Sequence, residues 1–388
     1  MGVYLNPGAR MLRMNRRNRI YVDKSMLIAS LNTVINTEQR FVCVSRPRCF
    51  GKTTSVNMVC AYYDRTVDAA SEFAELSIVS DPSFDVERNK YDVIRFSASE
   101  FWCLTHDIDS MLDAIQKSII HDLLLEYPDA CDSGRYPGDL PFVLDVIHAR
   151  LGRSFVIAID GWDCVMRTAP DDHDGHLRYL RFLNSLLKDK PYVALCYMTG
   201  VLPIKKAGNH SCLNMFEECS MVAPHELGPF MGFTESEVAA LCAEWSRSPV
   251  DCRDWYGGYL LRGAGEVYSP RPVVRFMATG RLDCYWARTE ALEALKHYID
   301  MNIDGLHDKV IELMGGARVE VDTRTYGNDM ATFNRADDVL TLLIHLGYLA
   351  WDADKGEVFI PNCEIMGEYA SATSGSGWHT ASPSVTVA

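Results

Sequence analysis

Along the first 227 positions, short apolar runs alternate with longer stretches in which apolar residues recur at helical spacing. Phe41-Val42-Cys43-Val44, Tyr91 to Phe96, Phe155 to Ile159 and Tyr192 to Met198 are the runs, and each reads as a buried strand. Between them, helices are predicted over Met26 to about Asn32, Thr53 to Tyr63, Ile108 to Tyr127, Phe142 to Leu151 and Leu177 to Leu187. In the third of these, Met111, Leu112, Ile115, Ile119 and Leu123 share one helical face. Strands and helices alternating at this spacing predict an α/β fold, a parallel sheet joined by crossover helices.

The texture changes near Gly228. Thr234 to Glu237 offers a helix cap and an acidic first turn, Trp255 to Tyr259 reads as an aromatic turn, and short helical segments continue through Met314. A helix from Asp337 to about Leu346 ends at Gly347, and Tyr348 to Asp352 with Glu357 to Pro361 suggest a hairpin behind it. The predicted division is a basic segment (1–20), an α/β domain (21–227), a helical lid-like region (228–335), a winged-helix-like end (336–370) and a disordered Ser/Thr/Gly-rich tail (371–388). The first twenty residues and the stretch from Pro128 to Pro141 read as loops. Asp23-Lys24 reads as a cap for the helix that follows, with a place near a ligand as the alternative.

At 388 residues the chain has room for two or three packed domains, and 48% hydrophobic with 23% charged residues is an ordinary globular composition. A net charge of −14 argues against coating nucleic acid through bulk charge. The 13 cysteines are scattered, with no Cys-x-x-Cys pair and no zinc spacing, which predicts buried reduced thiols. No signal-like core follows the N-terminal arginines and no apolar run spans a membrane, so a cytoplasmic protein is expected.

Candidate chemistry centres on Arg46-Pro47-Arg48-Cys49-Phe50-Gly51-Lys52-Thr53-Thr54, which lies between a strand and a helix. A loop ending Gly-Lys-Thr in that setting surrounds phosphates with backbone N–H groups. Lys52 reaches the β- and γ-phosphates, and the Thr53 hydroxyl is a Mg²⁺ ligand. The usual first glycine of such a loop falls at Arg46. The apolar run ending at Asp160 puts an acid at the carboxyl end of a strand, where it partners Thr53 at Mg²⁺ through a water. Asp163 either holds metal water or caps the next helix. Thr199, at the end of another strand, either senses the γ-phosphate or simply opens a turn.

These motifs resemble the bacterial AAA-ATPase-like family of P-loop proteins. Its members show Tyr/Phe-Val-Asp-Lys, then Arg-Pro-Arg-Arg-Phe-Gly-Lys-Ser/Thr, then an apolar strand ending Asp-Glu-Tyr/Trp-Asp. Here the counterparts are Tyr21 to Lys24, Arg46 to Thr53 and Asp160 to Asp163, and Tyr197 to Lys206, Gly232 to Thr234 and Trp255 to Tyr259 extend the likeness. The resemblance implies a P-loop NTPase fold, ATP and Mg²⁺ as ligands, and Arg46 as a family trait. Three positions depart from it. Cys49 replaces a second arginine, Gly257 stands where aspartate is frequent, and Gly161 replaces the glutamate that polarises the attacking water. Many members also continue into a PD-(D/E)xK nuclease-like domain, for which this chain, ending at Ala388, leaves no room. The expectation is therefore an ATP-binding protein with weak or absent hydrolysis and Asp160 and Asp163 as its candidate catalytic acids. The alternative is a non-enzymatic interaction scaffold or a truncated relic with a protein partner. Oligomerisation stays open, and nucleic acid is disfavoured by charge.

Overall fold

A computed structural model describes residues 2–129, 138–204, 212–286, 290–327 and 333–374. The chain forms two compact units, Met1–Ser45 with Gly51–Cys219, and Arg46–Phe50 with Ser220–Ala388.

The first unit is built on one sheet. Its strands are β1 (Phe41–Ser45), β2 (Asp92–Ser97), β3 (Phe155–Asp160), β4 (Val193–Gly200) and β5 (Glu217–Cys219), in the order β2-β3-β4-β1-β5. Every pairing is parallel, as strands separated by crossover helices require. All residues of β1, β3 and β4 are buried, which is why these segments read as continuous apolar runs rather than alternating ones. The register sets the carboxyl ends level: Ser45 lies opposite Gly200, Thr199 opposite Asp160, and Asp160 opposite Ser97. That end of an open parallel sheet is where ligands bind.

Helices cover the sheet. In the Ile108–Glu126 helix, Met111, Ile115, Ile119 and Leu123 are fully buried and join the core with Leu183, Leu186 and Leu187 of the His173–Leu187 helix. Each such side chain stabilises the fold by about 1.5–3 kcal/mol relative to exposure. The helix after β1, Lys52–Tyr63, is buried at every position from Ser55 onward, so it shows no clean amphipathic stripe.

The N-terminal segment departs from its predicted loop, since Arg10–Arg16 is helical. One apolar residue, Leu12, is buried, and Arg13 and Arg16 pair with Glu72 and Glu75. Its stability comes from partners distant in sequence, which periodicity does not register. Asp23 does not cap the Met26–Val34 helix, whose N-cap is Ser25 with no side-chain cap bond; it accepts instead from the Ser25 and Ser77 amides and ties this segment to Ser77. Burial opposes ionisation of that carboxyl, but these bonds hold it below its ordinary range.

The second unit holds the predicted helices over Glu235–Trp245, Pro270–Thr279, Leu306–Met314 and Ala336–Leu346. It is less purely helical than its sequence suggests. Phe233–Thr234, Gly265–Tyr268 and Tyr259–Leu261 form a three-stranded antiparallel sheet. The predicted hairpin is present as Ala350–Asp352 paired with Glu357–Phe359, and Val319–Glu320 adds a third strand. A further helix, Cys363–Thr373, is capped by the Asn362 side chain, which accepts from the Ile365 amide. It overlaps the start of the predicted tail, whose positions 375–388 lie outside the described residues, as do 130–137 of the predicted loop and Lys205 and Lys206. The twelve cysteines described are all free, and Cys43, Cys60, Cys164, Cys196, Cys219, Cys242 and Cys252 are buried. Burial pushes the Cys60 thiol up to about 12.

Candidate nucleotide-binding site

The site residues of the first unit come from three segments that the sheet brings together. Thr53 opens the helix after β1, Asp160 ends β3, and Thr199 lies near the end of β4. The Thr53 hydroxyl donates to Asp160 Oδ2 at 2.7 Å, and the Thr199 hydroxyl donates to Asp160 Oδ1 at 2.7 Å. Both carboxylate oxygens are thus held by hydroxyls from positions 107 and 39 residues away in sequence. Thr199 is fully buried and Asp160 nearly so, at 9% exposure, whereas Thr53 is exposed. An accessible hydroxyl beside a fixed carboxylate is a set of hard oxygen donors. It suits Mg²⁺, which takes one or two protein oxygens and completes its shell with water and phosphate.

Lys52 begins the helix and is half-buried, and its N-cap, Gly51, has φ 89°. This is the left-handed region, which favours glycine, and an added Cβ at Gly51 meets no atom within 4 Å. The loop is therefore open on this side, and the first amides of the helix have no intrahelical partners. Those amides and the helix dipole favour an anion.

The lead-in residues cluster with the second unit. Arg46, Pro47 and Phe50 are buried, while Arg48 is exposed and Cys49 half-buried with φ 68°. The Phe50 carbonyl accepts from Gly232 N at 3.1 Å, and its ring meets Tyr259 edge-on at 5.3 Å. Gly232 and Tyr259 belong to the two segments, Gly232 to Thr234 and Trp255 to Tyr259, that carry part of the sequence resemblance. Arg46 lies beside His345, whose pKa is lowered to about 3 by burial and then by the guanidinium charge. Arg271 Nη1 lies 3.9 Å from Cys49 Sγ, so a positive charge stands beside the position where arginine is missing.

Asp163 is not part of the Thr53–Asp160–Thr199 set. It is fully buried, and its Oδ2 accepts from Arg167 Nε at 2.7 Å and from Leu202 N at 2.9 Å. It joins the exit of β3 to the segment after β4. Gly161 adopts φ 65°, and a Cβ there would lie 2.4 Å from Ser99 Oγ. Neither the sign of that φ nor the neighbour is visible in the sequence. Ser99 was not among the candidates, and no spacing or motif singles it out.

The family of AAA-ATPase-like proteins, described as predicted AAA-ATPases, matches residues 10–209. No curated protein matches the chain. Among solved structures, a Walker-type ATPase of Pyrococcus abyssi is similar at 13% identity and a TM-score of 0.43, covering 92% of this chain and 97% of its own. The ORC2 protein of Aeropyrum pernix, in ADPNP–ADP complexes, is similar at 11% identity and a TM-score of 0.40, with 94% and 97% covered. The ORC1 protein of Aeropyrum pernix in complex with DNA gives 14% identity and a TM-score of 0.31, with 96% and 98% covered. At these values the likenesses carry no argument beyond themselves. The family match spans more than half of the sequence and includes the phosphate loop, Asp160 and Thr199, and by it this chain belongs to the AAA-ATPase-like family.

Proposed function

We propose that this protein binds ATP with Mg²⁺ at Arg46 to Thr54 and hydrolyses it weakly or not at all. One observation carries the reading: the hydroxyls of Thr53 and Thr199 converge on the Asp160 carboxylate at 2.7 Å each, in a family of ATPases. Lys52 and the loop amides hold the phosphates. Thr53 and Asp160 hold the metal, Asp160 through a water, and Thr199 stands by the γ-phosphate. Asp163 acts as a positioning residue for the β4 exit, which its bonds to Arg167 and Leu202 favour over metal binding. Bound Mg²⁺ neutralises phosphate charge and so assists both binding and transfer.

Turnover near background follows from Gly161, because losing a positioned acid or base costs on the order of 10²–10⁴ in rate. The affinity expected for ATP is micromolar. Equilibrium binding on the full chain tests this, and absence of Mg²⁺-ATP binding, or binding untouched by Lys52→Ala, refutes it. The second reading, a non-enzymatic scaffold for a protein partner, is favoured by Gly161 and Cys49, which leave the site without an acid after Asp160 and the loop without a second arginine. A thermal shift separates the two, since a ligand at 100 times its Kd stabilises by about 2.7 kcal/mol. DNA binding is not part of the proposal: the helix–hairpin element carries Asp337, Asp338 and Glu357, and Arg318, just before the Val319–Glu320 strand, is paired with Asp352. Among the described residues no helix is long and apolar enough to cross a membrane, and a cytoplasmic address belongs to the same proposal.

A further inference from the structure

The Ser99 hydroxyl is the feature that the phosphate-binding reading leaves unexplained. Ser97 ends β2 level with Asp160, and its side chain accepts from the Glu100 amide to open the Ala98–Thr105 helix. Ser99 lies in the first turn of that helix, half-exposed. Its Oγ comes within 2.4 Å of where a Cβ on Gly161 would stand. Gly161 directly follows Asp160, so this hydroxyl lies beside the backbone that leaves the carboxyl end of β3. Among the described residues Ser99 Oγ has no hydrogen-bond partner. A free hydroxyl thus occupies the space from which an acid at position 161 would extend.

We propose that Ser99 Oγ is the group that orients the attacking water for the slow hydrolysis of ATP by this chain. This inference rests on the ATP-binding reading. A serine hydroxyl donates and accepts hydrogen bonds but is no base near neutrality. It aligns the water without taking its proton. The water oxygen bonds to the γ-phosphorus, the bond from phosphorus to the β–γ bridging oxygen breaks, and the water proton passes to a γ-phosphoryl oxygen. ADP and inorganic phosphate leave. The gain is one of positioning, and it is small beside that of a carboxylate base. Glu100 is the neighbouring acid, but it is exposed and its charge acts on Tyr4, whose pKa is raised by burial and then by this carboxylate.

The test uses the full chain with Ser99→Ala, Ser99→Thr and Glu100→Gln. Single-turnover hydrolysis of Mg²⁺-ATP is measured alongside affinity for ATP and for ADP with Mg²⁺ and aluminium fluoride, a mimic of the transferring phosphoryl group with its in-line water. Ser99→Ala is expected to lower the single-turnover rate and the affinity for the fluoride complex about 10-fold each, a hydroxyl's hydrogen bond being worth roughly 1.4 kcal/mol. Affinity for ATP stays within twofold, Ser99→Thr restores both quantities, and Glu100→Gln changes neither. If Ser99→Ala leaves fluoride-complex affinity unchanged while ATP still binds, the assignment is wrong. The same holds if Glu100→Gln produces the loss, or if the wild-type chain binds the fluoride complex no better than ADP. Failure of the wild-type chain to bind Mg²⁺-ATP at all is a different result, and it overturns the ATP-binding proposal itself.

Discussion

Replacing Gly161 by glutamate restores the acid that the family pattern expects, yet the structure makes this a costly change. The first cost is conformational: at φ 65° a residue with a Cβ is less stable than glycine by about 1–2 kcal/mol. The second is steric. A Cβ would stand 2.4 Å from Ser99 Oγ, where 3.4–4 Å is ordinary contact. Ser99 is half-exposed and its hydroxyl turns about a single bond, so relief costs about 0.5–1.5 kcal/mol for an unfavourable rotamer. Together these predict that Gly161→Glu destabilises the first unit by about 2–3 kcal/mol, or a fall of roughly 5–10 °C in Tm for a domain of this size. Adding Ser99→Ala removes the steric part and recovers about a third of the loss. Gly161→Ala carries the same two costs without the carboxylate and serves as control. Urea unfolding and thermal melts read these differences directly. In the double variant the restored carboxylate should raise ATP turnover above that of Ser99→Ala alone. A Gly161→Glu chain as stable as the wild type, or a double variant no more stable than the single one, refutes this description of the position.

Three further outcomes are expected. Thr199→Val keeps the shape of a buried residue but removes one donor from Asp160, so unfolding in urea should show a loss of about 1.5–3 kcal/mol, the range for bonds to charged groups. Asp163→Asn should lower stability by about 1–3 kcal/mol through the weakened bond to Arg167. The Mg²⁺ dependence of ATP affinity should not change with it, and a changed dependence would return Asp163 to the metal site. Glu364 tests the second unit. It is 2% exposed and its pKa is raised to about 7, first by burial, although the Tyr285 and Trp286 amides donate to it and pull the other way. The folded state therefore holds a proton that the unfolded chain releases above its ordinary 4.5. Stability falls as pH rises from about 4.5 to 7 and then levels, a total of about 3 kcal/mol by linkage. Glu364→Gln keeps an acceptor for both amides and should flatten that slope in pH-dependent unfolding.

The nucleotide-binding unit was legible where burial on both faces leaves an uninterrupted apolar run, as in β1, β3 and β4. The polar residues closing two of those runs, Asp160 and Thr199, lie level at the carboxyl ends of β3 and β4. Gly51-Lys52-Thr53 stood out between a strand and a helix, and the structure places Gly51 as the N-cap of the helix after β1. Elements held by partners remote in sequence were not legible. The Arg10–Arg16 helix depends on Leu12 and ion pairs to Glu72 and Glu75, and β5, Glu217–Cys219, is a short edge strand that carries two acids. The Cys363–Thr373 helix did leave a signal, since Asn362 precedes Ile365, Tyr369 and Ala372 at helical spacing and all three are buried. At Gly161 the sequence reports a missing acid, and only the backbone angle and Ser99 reveal what a side chain there would cost.

Calorimetric titration of the full chain with Mg²⁺-ATP, beside Lys52→Ala, bears most directly on what this protein does. A saturable single-site isotherm in the micromolar range is expected for the wild type, weakened at least 10-fold by the substitution, since one bond to a charged group is worth about 1.5–3 kcal/mol. Identical isotherms for the two proteins, or no heat from either, contradict nucleotide binding at this loop.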